Sequence, residues 1–152
     1  MTDMARWLAQ AAADPNAALS EWGLGRSAQL VVGRRWDLVE TGFWLSRLAR
    51  TWLRENGCHV GVYLVAGAEH STWWPVPLGT GYRLVGVFGA TVHPAGWELR
   101  APAPCKYLAD RLWILPFENP GQCTTLTAAA DLRAALQAAE EQLQGRAEHV
   151  LT

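Results

Sequence analysis

Apolar residues along this chain recur with two different periods, and the changes of period predict the order of the elements. Residues 3–13 place apolar side chains on one helical face, and a second short helix is predicted over residues 15–22. Thr2 and Asp14 precede these helices as N-caps, and Pro15 suits a first helical position. We expect residues 1–25 to form a helical appendage to the main domain.

The stretch from residue 26 to residue 65 reads as strand, strand, long amphipathic helix and strand. The strands are predicted over residues 28–32, 35–40 and 59–65, with Trp36, Leu38 and Glu40 on one face of the second. Thr41 is expected to cap the helix, which ends near Asn56 with Gly57 as its stop. Its apolar stripe comprises Trp44, Leu45, Leu48, Ala49, Trp52 and Leu53, and Arg47, Arg50 and Arg54 fall on the opposite side.

The second half of the chain alternates short apolar runs with turns. Residues 71–76, 97–100 and 112–116 are predicted strands, and Pro75 suggests that the first of these is an edge strand or ends there. Residues 82–88 suit a strand or a short helix, residues 89–92 lead into a turn at 94–96, and another turn is predicted at 119–121. Thr127 is expected to cap a terminal helix over residues 128–144, which Gly145 stops before a frayed tail at 146–152.

These elements predict one α+β domain with its core in residues 26–145. The expected sheet is mixed but mainly antiparallel, packed by the central helix and the C-terminal helix. The chain has 152 residues, 18% charged residues and a net charge of −1, which argues against a strongly basic, salt-driven nucleic-acid binder. Three cysteines without CxxC spacing, no signal peptide and no long apolar run lead us to expect a cytoplasmic protein without a membrane partner.

Nine tryptophans in one domain of this size need a physical reason. They could build the core from large planar groups, or they could form an aromatic surface. On the second reading Trp73, Trp74 and Trp97 would bind a partner together with Arg47, Arg50, Arg54 and His70. That partner would be a single-stranded nucleic acid or a protein.

The residues of catalytic type are scattered. His and Cys residues lack the close pairing of zinc ligands, and no GxSxG nucleophile elbow is present. Asp37 and Glu40 fall on opposite faces of their strand, so they do not converge on a metal ion. We therefore expect no metal site, no cofactor and no catalytic residues.

Three stretches resemble, in order, the prim-pol domain of bifunctional DNA primase/polymerases in its shortened actinobacterial form. They are LVVGRRWDLVETGFWLSRLARTWLRENG, GAEHSTWWPVP and TVHPAGWELRAPAP. The resemblance implies a nucleotide-contacting role for His70 and an acidic DxD pair. Here Arg35 replaces the first acid, Asp37 remains, and the third acid expected near Thr91 is missing. The resemblance therefore implies a degenerate member that kept the sheet and lost the metal site.

Three functions follow as hypotheses. The first is a non-catalytic binding or regulatory protein that uses a Trp- and Arg-rich surface. The second is a small-molecule binder or enzyme with a pocket lined by Trp73, Trp97 and Trp113, and with His70, His93 or Asp37 as its polar groups. The third is a homo-oligomeric subunit, such as a homodimer, with tryptophan at its interface.

Overall fold

The computed structural model of the chain describes residues 2–116 and 124–151, with backbone only beyond Arg146, so the turn predicted at 119–121 lies outside the described residues. The helices are α1 Asp3–Ala9, α2 Pro15–Gly23, α3 Phe43–Glu55 and α4 Ala129–Leu151, and a 3₁₀ turn spans Gly81–Leu84. The strands are β1 Ala28–Val31, β2 Trp36–Gly42, β3 Tyr63–Ala66, β4 Ser71–Pro77, β5 Ala90–His93, β6 Glu98–Ala101 and β7 Arg111–Ile114.

Five strands form the central sheet in the order β5-β2-β4-β3-β7, and β1 pairs with β6 in a separate two-stranded sheet. Every pairing between these strands is antiparallel. The predicted α+β class is confirmed. The packing of α3 and α4 together against the sheet is confirmed as well, because their apolar residues share a buried cluster with Val39, Tyr63 and Trp74.

The opposite side of the central sheet is covered too. Leu8 of α1 and Trp22 of α2 pack in one cluster with Leu38 and Trp73 of the central sheet and with Leu30 of β1. The Trp22 indole Nε1 donates to the carbonyl oxygen of Ala101 at 3.0 Å. The N-terminal helices are therefore part of a three-layer fold, and the prediction of an appendage over residues 1–25 is wrong.

The N-terminal helices begin as their sequence predicts. The Thr2 hydroxyl accepts the N–H of Ala5, and the Asp14 carboxylate accepts the N–H of Ala17, each at 3.2 Å. The beginning of α3 differs, because Gly42 is its N-cap and makes no side-chain cap bond. Thr41 instead remains in β2, where its buried Oγ1 accepts the Trp74 indole N–H and is hydrogen-bonded to Ser46. The Thr41 hydroxyl, which was expected to cap the helix, therefore accepts a hydrogen bond from Trp74, a residue distant in the sequence.

Strand β4 lies in the middle of the sheet and continues past Pro75 to Pro77, so Pro75 marks neither an edge strand nor the end of its strand. β3 pairs only with Ser71–Trp73 of β4, whereas β2 pairs with the whole strand. Pro75 therefore lies where β4 has a neighbouring strand on one side only, and a residue without an N–H is tolerated there. The true edge on the β2 side is β5, a strand that the sequence pattern did not reveal.

The C-terminal helix also departs from the prediction. It continues to Leu151, so the predicted stop at Gly145 is wrong. Thr127 does not cap it: its buried Oγ1 accepts the N–H of Gly61 at 2.8 Å. A Cβ at Gly61 would lie 2.7 Å from the Thr125 carbonyl oxygen, so a glycine lets the segment before α4 cross here.

Candidate functional site

The outward side of α3 carries exposed aromatic and basic side chains. We refer to Phe43, Trp44, Arg47, Arg50 and Arg54 as the α3 surface. Phe43 is 38% exposed and Trp44 is 69% exposed, and their rings meet edge to face with centroids 6.3 Å apart. The Arg47 guanidinium lies 5.9 Å from the centre of the Trp44 ring, within range of a cation–π contact.

Trp44 was expected in the buried stripe of this helix, and that expectation is wrong. A helix turns by about 100° per residue, so Trp44 lies roughly 100° away from Leu45, which faces the core. Leu45, Ala49 and Leu53 fill the buried side of α3, and α4 packs beside them. All nine tryptophans lie in the described part of the chain, and Trp44 alone is exposed.

A groove separates the first half of α3 from the last described turns of α4. It is lined by Trp44, Arg47, Leu48, Thr51, Leu143 and Arg146, and it encloses about 540 Å³. Leu48 and Leu143 are half-buried and form its apolar floor, while Arg47 and Arg146 are exposed at its rim. The groove therefore combines an apolar floor, an exposed indole and positive charge.

The three predicted arginines of α3 share one side of the helix but have different surroundings. Arg47 and Arg54 are exposed. Arg50 is half-buried: its Nη1 donates to the Tyr63 hydroxyl at 2.8 Å, and its guanidinium lies 5.3 Å from the centre of that ring. Within the side chains that the structure describes, no carboxylate pairs with any of the three within 4.0 Å. The α3 surface thus carries uncompensated positive charge.

Trp73 and Trp74, the predicted stacking residues, are 2% and 0% exposed. Consecutive strand residues point to opposite faces, and both faces of the sheet are covered, so both indoles are buried. The Trp73 N–H donates to Glu40 and the Trp74 N–H donates to Thr41, each at 2.9 Å. Neither ring is open to a base or to a partner, so their predicted role as an exposed binding surface is wrong.

Trp97 packs on the side of the sheet opposite α3, whereas His70 lies in a turn next to the start of α3. Trp97 is half-buried, and one face of its ring is covered by His93, with ring centroids 3.7 Å apart and planes 14° apart. His70 is exposed in the turn between β3 and β4 and has a φ of 53°. Its carbonyl oxygen accepts the N–H of Phe43, which links the turn to the start of α3. The structure therefore does not bring the predicted site residues into one site.

A polar cluster that the sequence reasoning missed lies on the sheet face opposite α3. The Glu40 carboxylate accepts the Ser71 hydroxyl, the Trp73 indole N–H and a hydrogen bond from Nε2 of His93, at 2.8–2.9 Å. Ser71 donates to the carboxylate rather than to the histidine, so this arrangement lacks a hydroxyl nucleophile activated by a base. The sequence signal for this cluster was the position of Glu40 on the same strand face as Trp36 and Leu38, because a carboxylate that is partly removed from water needs hydrogen-bond donors.

Asp37 points to the other face of β2 and has a structural task. Its Oδ2 accepts the N–H of Gly79 at 3.1 Å and that of Gly81 at 2.8 Å, which holds the loop after β4. A Cβ at Gly81 would lie 3.0 Å from this carboxylate. Across the described residues, no three His, Cys, Asp or Glu side chains are grouped as metal ligands would be.

Comparisons of the chain with protein-family models, with curated proteins and with solved structures found no significant match. In the part of the chain that the structure describes, no helix has both the length and the apolar character that a membrane span needs.

Proposed function

We propose that this protein is a non-catalytic binding module that captures an acidic protein segment in the groove between α3 and α4. The observation that carries the proposal is Trp44, a 69% exposed indole beside an apolar floor and a positively charged rim. Leaving an indole in water forgoes the free energy of burying a large apolar area. Tryptophan and arginine are also the residues that most often dominate binding energy at protein interfaces.

The chemistry of the groove defines the segment that it fits. An apolar side chain of the partner would cover Leu48 and Leu143 and pack against the Trp44 ring. Acidic residues beside it would meet Arg47 and Arg146 at the rim. The charge pairs at an exposed rim chiefly raise the association rate and the specificity, and the apolar contact supplies most of the affinity.

Single-stranded nucleic acid is the competing occupant, because bases can stack on aromatic rings next to arginine. The exposed aromatic rings of α3 are Trp44 and Phe43, which meet edge to face rather than in parallel, and the chain has a net charge of −1. These two observations favour a protein partner. The resemblance to the prim-pol domain stays a hypothesis. On our proposal, a clean preparation supplied with primed template and magnesium or manganese incorporates no nucleotides.

The decisive experiment selects peptides from a random displayed library on the immobilised protein and measures the affinity of the winners by fluorescence anisotropy. We expect enrichment of acidic residues around an aromatic or large aliphatic residue. Trp44→Ala and Arg47→Glu should each weaken these peptides at least about ten-fold. Leu24→Ala and Arg34→Glu are matched controls, because both residues are exposed and lie outside the groove.

Three results would contradict the proposal. If the selected peptides bind the Trp44→Ala variant as tightly as they bind the wild type, the peptide-binding site lies outside the groove. Labelled oligo-dT or oligo-U that binds more tightly than every selected peptide, and loses affinity in Trp44→Ala, would favour a nucleic-acid partner. A monomer–dimer equilibrium by light scattering that Trp44→Ala shifts to monomer would assign the groove to a second copy of this chain.

A further inference from the structure

A second polar cleft lies on the side of the molecule that α1, α2 and the β1-β6 sheet form. One cavity of about 160 Å³ is lined by Trp22, Gly25, Arg26, Ala103, Lys106, Tyr107 and Leu108. A neighbouring cavity of about 450 Å³ is lined by Glu21, Gly25, Arg26, Ser27, Gln29, Arg100, Leu108 and Ala109. The two cavities share Gly25, Arg26 and Leu108, so Arg26 lies where they join.

Positive charge predominates in this cleft although the chain as a whole has a net charge of −1. Arg26, Arg100 and Lys106 face a single lining carboxylate, that of Glu21. Nη1 of Arg26 lies 3.7 Å from Oε2 of Glu21, and the two side chains are 65% and 43% exposed, so this pair only weakly compensates the charge. Within the described side chains, no carboxylate lies within 4.0 Å of Arg100 or Lys106.

The loop between β6 and β7, which carries Lys106, has an unusual backbone. Four non-glycine residues of the described chain have positive φ, and three of them, Cys105, Ala109 and Asp110, lie in this loop at 67°, 51° and 65°. Such conformations cost energy and persist where the surroundings hold them, often next to a binding site. For Ala109 the cost is not offset by a side-chain hydrogen bond, because alanine has no polar side-chain atom.

Several hydrogen bonds hold the loop in place. The Asp110 carboxylate accepts the N–H of Ala68 and, at 2.8 Å, the Tyr107 hydroxyl. The Lys106 N–H donates to the carbonyl oxygen of Ala103 at 3.2 Å, and Leu108 forms a bridge with Arg111. The loop is thereby fastened to the turn between β3 and β4, and Lys106, which lines the smaller cavity, lies on this loop.

We propose that this cleft binds a phosphoryl dianion carried by a small molecule, as in a phosphate monoester. The phosphoryl group would lie at Arg26, between Arg100 on one side and Lys106 on the other. Arg26 lines both cavities, Lys106 the smaller one and Arg100 the larger one. Cations on different sides of a ligand suit a tetrahedral dianion better than a planar monoanionic carboxylate, which a single arginine can pair in two hydrogen bonds. The apolar substituent would enter the smaller cavity against Trp22, Ala103 and Leu108.

The test uses phenyl phosphate as the probe and follows backbone amide shifts of the full chain by two-dimensional NMR. We expect saturable shifts concentrated at Gly25, Arg26, Leu108 and Ala109. Arg26→Gln and Lys106→Gln should each weaken binding about ten-fold or more, because each removes a charge-assisted contact. Arg34→Gln is the control, since Arg34 is exposed and does not line the cleft.

Three further ligands test which chemical group the cleft recognises. Benzoate carries the same ring on a carboxylate, and diphenyl phosphate carries a phosphoryl monoanion. If either binds as tightly as phenyl phosphate, the assignment to a dianion is wrong. Inorganic phosphate should shift the same amides with lower affinity, because it leaves the apolar cavity empty.

The proposal is overturned if no saturable shifts arise, if the shifts spread over all exposed arginines, or if both charge variants bind as the wild type does. Arg100→Gln serves in place of Arg26→Gln if that variant fails to fold, since the Arg100 side chain is exposed on β6. Trp44→Ala should leave phenyl phosphate binding unchanged, so this test stands apart from that of the groove.

Discussion

Strand β4 and helix α3 differ in the burial of their tryptophans. Trp73 and Trp74 of β4 were candidates both for the core and for an aromatic surface and are buried, whereas Trp44 of α3 was placed in the apolar stripe of its helix and is 69% exposed. The reason lies in their neighbours. β4 is enclosed by a layer on each face of the sheet, whereas α3 is covered by the sheet and α4 only. A periodic pattern identifies a face, but it does not say how many layers cover it.

The largest expected effect comes from the buried member of this comparison. Trp74→Ala should lower the free energy of unfolding by about 3–5 kcal/mol, because it removes a fully buried indole and leaves a cavity. Urea denaturation followed by circular dichroism measures this. Trp74→Phe is the control and should lose clearly less, since a ring still fills the site. A loss below about 1 kcal/mol for the alanine variant would mean that Trp74 does not pack as described.

The polar cluster next to Trp73 should show the next largest effect. Glu40→Ala leaves the Trp73 N–H and the Ser71 hydroxyl without the acceptor that they share. The expected loss in free energy of unfolding is about 1–3 kcal/mol, which is the cost of an unsatisfied buried donor. Glu55→Ala is the matched control, because Glu55 is exposed at the end of α3 and has no described ion-pair partner. Equal stabilities of the two variants would contradict the structural role of Glu40.

A smaller, pH-dependent effect is expected at the exposed loop before β7. The Ala68 N–H, and after it the Tyr107 hydroxyl, hold the pKa of Asp110 below its ordinary value of 3.8. The ionised carboxylate therefore stabilises the fold above that value, and this contribution is lost as the pH falls through the lowered pKa.

Asp110→Asn tests this effect, because asparagine also tolerates the positive φ at this position. We expect its urea midpoint to lie below that of the wild type at neutral pH, and the difference to shrink in acid. A difference that stays constant from neutral pH to well below pH 3.8 would contradict the assigned cause.

The smallest effect on stability is expected at the exposed member of the comparison. Trp44→Ala should change the free energy of unfolding by no more than about 0.5 kcal/mol, because its ring is largely in water already. The same variant should lose at least about ten-fold in affinity for the selected acidic peptides. A variant that is strongly destabilised would show that the indole is packed, and it would remove the basis for the proposed binding groove.

Local rules written in the sequence predicted several details correctly. These details depend on residues close to one another in the chain. They are the caps Thr2 and Asp14, the helix end at Asn56 and Gly57, and the shared strand face of Trp36, Leu38 and Glu40. The arginine row of α3 likewise follows from helical geometry. Such features need only the period of the local backbone.

Predictions that failed depend on residues far away in the sequence. Thr41 and Thr127 were assigned as caps, but Trp74 and Gly61 use their hydroxyl groups. Strand β5 has little pattern of its own and is defined by its pairing with β2. Its register brings His93 beside Glu40, which no local rule could have indicated.

Of the predicted binding residues, Arg47 lines the groove between α3 and α4, whereas Arg50, Arg54 and the predicted tryptophans do not. The exposure of an aromatic residue depends on which layer covers it, and that is a property of the whole packing.

The amino-acid sequence by itself determined the α+β class, most of the elements and the basic side of α3, because periodicity, caps and turn residues act over a few neighbouring positions. Only the tertiary structure decided which tryptophans are buried, which polar side chains meet at Glu40, and that Arg26, Arg100 and Lys106 surround one cleft. Those outcomes depend on strand order and on layers that close over a face, and they are set by the burial of the chain as a whole rather than by any one segment.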